Sequence, residues 1–150
     1  MQLLLPRLLD PDDTEAVRVD DRALSYRELA ARVAIHLARL EALGVGAGER
    51  VGVFTHATVD VVAALVAQLT HGVVTVPLNP ALGDRELAHM LNDAAPVAVF
   101  VDGARRAELP AHAGLAGRLR DLDESADAPA SAAWKPRPLS NEIGRASCRE

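Results

Sequence analysis

Residues 50–101 constrain the fold more than any other part of the chain. They hold three short apolar runs, 51–54 (VGVF), 73–80 (VVTVPLNP) and 97–101 (VAVFV), separated by two longer segments with helical patterning. β-Branched runs bounded by glycine or proline are the mark of strands buried on both faces, and intervening helices supply the crossovers that parallel strands require. The expected fold class is α/β: a partial parallel sheet with flanking helices. The run from Val73, bounded by Gly72 and Pro77, is expected to be its middle strand.

Composition fits this arrangement. Apolar residues make up 49% of the 150, but aromatics only 3%, so Val, Leu and Ala must build the core. One domain of this length can bury most of its apolar surface. The net charge of -5 and the lack of a basic stripe argue against a nucleic-acid partner. The longest apolar run beyond the N-terminal residues, 61–67, is far short of the roughly 20 residues that a membrane span needs. Residues 2–9 are leucine-rich but have neither a basic start nor a small-residue cleavage site, which argues against a signal peptide. A single cysteine, Cys148, cannot pair within the chain, and a cytoplasmic location is expected.

Local signals set the other elements. Residues 2–9, interrupted by Pro6, are expected to form a short helix that docks its leucines. Asp10, Asp12 and Asp13 surround Pro11 in a solvated turn that lacks the ligand spacing of a calcium loop. Residues 16–19 and 22–24 read as a hairpin about Asp20 and Asp21. Ser25 and Glu28 form a capping box at the start of a helix reaching about Leu43, with Leu29, Val33, Leu37 and Leu40 on its buried stripe and Arg32 and Arg39 off it. Gly44 is placed to end that helix in a left-handed conformation. The glycines at 44, 46 and 48 follow a helix and lead into a strand, the reverse of a phosphate-cradling loop, and so read as a connecting turn.

A second helix, capped by Thr55 or His56 and reaching about Thr70, is apolar almost all round and is expected to be buried. A third begins near Gly83 or Asp84, with Leu87, Met90 and Leu91 on its apolar face, and ends before Pro96. Residues 104–109 suggest a short helix and 118–122 a weak strand. Residues 125–138 have the Ala, Pro, Ser and Asp content of a linker. None of the histidines, His36, His56, His71, His89 and His112, stands four residues from another, so a helical metal pair is not expected and they read as surface or core-edge residues. No nucleophile elbow or Cys-His pair is present. The residues themselves yield a nucleotide-type α/β scaffold and no catalytic constellation.

The segments LSYRELA (24–30), LGVGAGERVGVF (43–54) and VVTVPLNPALGDRELAHMLNDAAPVAVFV (73–101) resemble the N-terminal region of the adenylate-forming acyl-CoA synthetases (AMP-dependent synthetases/ligases). Within that superfamily, residues 77–96 are most similar to bacterial malonyl-CoA synthetases. The resemblance implies the N-terminal part of the large domain over residues 1–124, a linker or surface loop over 125–141, and a parent ligase that joins a small carboxylic acid, malonate among the candidates, to coenzyme A. Such enzymes form an acyl-adenylate with ATP and Mg. Their phosphate loop is expected just after Asn141, so no catalytic, cofactor-binding or metal residue is assigned here.

Residues 142–150 (EIGRASCRE) resemble the translated read-through of a common sequencing adapter, and natural sequence is expected to stop near Asn141. Removing them leaves the net charge unchanged but removes Cys148, and its redox meaning with it. Two alternatives stand beside the synthetase reading: a small non-catalytic α/β binding or interaction module, and the start of a peptide-synthetase adenylation domain. If more chain follows, residues 59–69 are expected to lie beneath it, together with a sheet edge.

Overall fold

The computed structural model describes residues 6–102, 106, 115 and 117–122. A 3-10 turn, Pro6–Leu8, precedes an antiparallel hairpin of β1 (Glu15–Val19) and β2 (Arg22–Ser25). Then follow α1 (Tyr26–Ala42), β3 (Arg50–Phe54), α2 (Val59–His71), β4 (Val74–Leu78), α3 (Asp84–Ala94), β5 (Ala98–Val101) and β6 (Leu119–Asp121). Of the helix expected over residues 2–9, the described part forms only the turn Pro6–Leu8, with Leu8 buried, and residues 2–5 lie outside the described residues. The regions expected as a helix at 104–109 and as a linker at 125–138, the tail 142–150 and His112 lie largely or wholly outside the described residues.

The helix starts follow local chemistry. Ser25 Oγ accepts from the Glu28 N–H at 3.3 Å, and the Glu28 carboxylate accepts from the Ser25 N–H at 2.8 Å, completing the capping box. The Ser25 N–H first, and then the Ser25 hydroxyl, which donates to the same carboxylate at 3.1 Å, hold the Glu28 carboxyl below its ordinary pKa. Gly44 takes φ +69° directly after α1, as the sequence requires. The cap of α2 is Thr58, whose Oγ1 accepts from the Val61 N–H at 3.2 Å, instead of Thr55 or His56. The chain bends at Thr55 and runs through 56–58 without regular structure before it turns into the helix.

All pairings in the larger sheet are parallel, and the strand order is β4-β3-β5-β6. β3, not the strand from Val73, is therefore flanked on both sides. β4 is an edge strand among the described residues, and its first residue, Val74, is 45% exposed. A proline at position 77 agrees with this, because proline lacks the N–H that a doubly paired strand needs.

The two faces of the sheet have separate cores. Val51, Val53 and Phe100 pack with Leu40, Val61 and Ala64 from α1 and α2. Phe54, Val99, Val101 and Leu78 pack with Leu87 and Leu91 of α3. Alternate strand residues thus serve opposite layers. α2 is already covered without further chain: the hairpin, α1 and Leu8 pack on Val59, Ala63 and Ala67, and Leu69 alone among its large apolar residues is exposed.

Three polar side chains expected elsewhere are buried. Arg39 lies with its guanidinium carbon 5.2 Å from the centroid of Phe100, and His36 and His71 are buried too. The His71 Nε2 donates to the Val45 carbonyl at 2.8 Å, tying the end of α2 to the glycine-rich turn. The buried stripe of α1 is wider than leucine spacing suggests because α1 packs against both α2 and the sheet.

Gly52 is central to β3, and a Cβ there would lie 3.0 Å from Val99 Cγ2 and 3.2 Å from Leu78 Cδ1. Gly52→Val should therefore cost about 1–3 kcal/mol through overpacking, read as a lower denaturant midpoint. Ser25→Ala should cost about 1 kcal/mol through loss of the cap, with the loss read from the same titration.

Candidate functional site

Parallel strands present all their C-terminal ends at one edge, and ligands of open α/β sheets bind outside that edge. In this chain β3 leads out to β4 through α2, and β4 returns through α3 across β3 to β5. Right-handed crossovers then put α2 and α3 on opposite faces, as the two cores require. The loops 55–58 and 79–83 consequently meet at the C-terminal edge.

A groove of about 490 Å³ opens there, at the ends of β3 and β4. Val53, Val61, Leu65 and Leu78 form its walls, and Thr55, His56 and Asn79 supply polar groups. Two of those polar groups serve their own loops. Thr55 Oγ1 donates to the His56 carbonyl at 3.0 Å, and Asn79 Oδ1 accepts from the Ala81 N–H at 2.9 Å. α2 begins beside the groove at Thr58, and α3 at Gly83, whose N–H donates to the Glu86 carboxylate at 3.4 Å.

No Asp, Glu, Lys or Arg lines the groove. It can seat an apolar group carrying a neutral polar function. It offers neither a fixed cation for a phosphate nor paired carboxylates for acid–base work. Of the four described histidines, His56 alone reaches the groove, while His36 and His71 lie in the core and His89 is exposed on α3. Sequence reasoning placed the strands and helices but not this groove, which depends on β4 lying beside β3. The available signal was the position of residues 55–58 and 79–83 after successive parallel strands.

The model of the AMP-binding enzyme family matches residues 9–143. The chain belongs to that family. It is 38% identical over 133 residues to an L-proline--[L-prolyl-carrier protein] ligase of Pseudomonas fluorescens, with 85% of this chain and 26% of that protein covered. Among solved structures, the nonribosomal peptide synthetase FmoA3 superposes with a TM-score of 0.75 at 27% identity, over 91% of this chain and 15% of that one. MatB from Rhodopseudomonas palustris gives 0.73 at 28% identity, over 91% of this chain and 30% of that one. The chain thus spans about a quarter of the length of the carrier-protein ligase that it matches.

The AMP-binding family uses ATP, and the resemblance also implies Mg and coenzyme A. The residues described here do not fit these groups on their own. The groove lacks a cation to meet phosphates, and no cluster of three His, Cys, Asp or Glu among the described residues could hold a metal ion. No helix among the described residues is long and apolar enough to cross a membrane.

Leu78 serves both the groove wall and the core against α3. Leu78→Ala should cost about 2–5 kcal/mol, whereas Thr55→Val at the rim should stay within about 0.5 kcal/mol. Equilibrium denaturation of the two variants separates wall from rim.

Proposed function

We propose that this chain is the N-terminal part of the large domain of an adenylation enzyme that activates an amino acid with ATP and loads it onto a carrier protein. The observation that carries this reading is the 38% identity over 133 residues to the L-proline--[L-prolyl-carrier protein] ligase. The fold supports it through the parallel βαβαβ unit over residues 50–101, which leaves its C-terminal edge free for later parts of the site. Phosphate binding and the metal belong to those later parts.

The coenzyme A reading, with malonate as the acid, is the second candidate and rests on residues 77–96. The similarity to MatB at 28% identity is level with that to FmoA3 at 27%, so the structures favour neither. A non-catalytic binding module has less support, because the family match extends over residues 9–143.

The test is ATP–pyrophosphate exchange by the complete parent protein, with each amino acid in turn and with malonate. The expected result is exchange driven by one amino acid and transfer to a carrier protein. Malonate-driven exchange with thioester formation on coenzyme A would replace this reading with the second. The 150-residue chain alone should give no exchange above background in the same assay.

A further inference from the structure

β6 is the most lightly held strand of the sheet. It has three half-buried residues and pairs only with β5 among the described strands. Its far end is fixed from across the core, where Arg39 of α1 donates to the Leu122 carbonyl at 2.9 Å and to the Asp121 carbonyl. The same guanidinium stacks on Phe100 of β5. One helical turn earlier, His36 meets that ring edge-on, with centroids 6.4 Å apart and planes at 85°. His36 is buried, and its Nδ1 has no hydrogen-bond partner.

We propose that His36 and Arg39 form an acid-released latch on β6: neutral His36 lets Arg39 sit in the core and hold the strand, and protonated His36 drives the strand off. A proton on His36 would put a second buried cation one turn from Arg39, against the same aromatic ring. Hydrating both cations requires α1 to part from the sheet on this side. β6 is the element whose departure costs the fewest contacts.

The surrounding charges offer no compensation. Arg32 and Arg39 are the charged neighbours on α1, and both disfavour a cation at His36. β5 (AVFV) has no ionisable residue. On β6 the Arg120 guanidinium donates to the Gly117 and Leu119 carbonyls, and the Asp121 carboxylate pairs with Arg106. On α2, Asp60 is engaged by Arg22 and Arg32, and the His71 ring is bound to the Val45 carbonyl.

Burial first, and then these arginines, lower the His36 pKa to about 4 from 6.5. The seated state thus binds fewer protons than the released state between those values, and release grows as pH falls through the window. Going from pH 7 to pH 5 should raise the opening of β6 about twentyfold, taking the ordinary histidine value for the released state.

Amide hydrogen exchange on the full chain, corrected for intrinsic rates, tests this. Protection at Leu122, whose N–H donates to the Val101 carbonyl, should fall about twentyfold between pH 7 and pH 5, while Val53 of β3 changes far less. His36→Leu should abolish the acid loss, and Arg39→Gln should weaken protection of Leu122 at pH 7. Asp121→Asn should retain the acid loss, which separates His36 from the Asp121–Arg106 pair. The proposal fails if Leu122 and Val53 lose protection together, if His36→Leu keeps the acid loss, or if Asp121→Asn removes it.

Discussion

The structure depends on β3 having a parallel partner on each side. Backbone amides of Arg50–Phe54 are committed both to β4 and to β5, so no residue of this strand can spare its main chain for anything else. Side chains of alternate residues then have to fill two separate cores. Gly52 resolves the tightest point, since Val99 and Leu78 from the two neighbouring strands close over it. The placement of α2 and α3 on opposite faces, and the meeting of their N-terminal loops at one edge, follow from that pairing.

Burial of charge and polarity sits mainly to one side of this frame. The core beneath α1 and α2 takes in His36, Arg39, Gln68 and His71, while the core beneath α3 is built from apolar side chains alone. Most of the buried polar groups are satisfied: Arg39 by carbonyls at the end of β6, His71 by the Val45 carbonyl, and Gln68 Oε1 by the Thr75 hydroxyl at 2.6 Å. Unsatisfied polar atoms are costly in a dry core, and His36 Nδ1 and Gln68 Nε2 are the two described here. In a chain with few aromatics, Arg39 and His36 both converge on the Phe100 ring.

What was legible in the sequence is what short-range chemistry fixes. The capping box of Ser25 and Glu28, the left-handed Gly44 and the hairpin about Asp20 all depend on residues within a few positions of each other. The α/β class and the three strands of residues 50–101 were legible from period and β-branching. Strand order was not, because apolar runs look alike whether a strand has one partner or two; Pro77 was the one residue that pointed to an edge. The burial of Arg39 was hidden for a similar reason, since its partners lie 82 and 83 residues away on β6. The groove could not be read at all without the order of β4 and β3. The family, by contrast, was legible from the motifs at 24–30, 43–54 and 73–101, while acid and acceptor were not, because malonate and coenzyme A rested on residues 77–96 alone and the 38% identical relative is a carrier-protein ligase.

The groove and the placement of α2 and α3 on opposite faces both rest on the strand order, and nuclear Overhauser contacts across the sheet test it most directly. The account predicts backbone contacts from Val53 to Pro77 and from Val53 to Phe100, with none between β4 and β5. Contacts pairing Val76 or Pro77 with Val99 or Phe100 would make β4 the middle strand. That result would contradict the reversal of strand order at β3 and remove the basis for the groove.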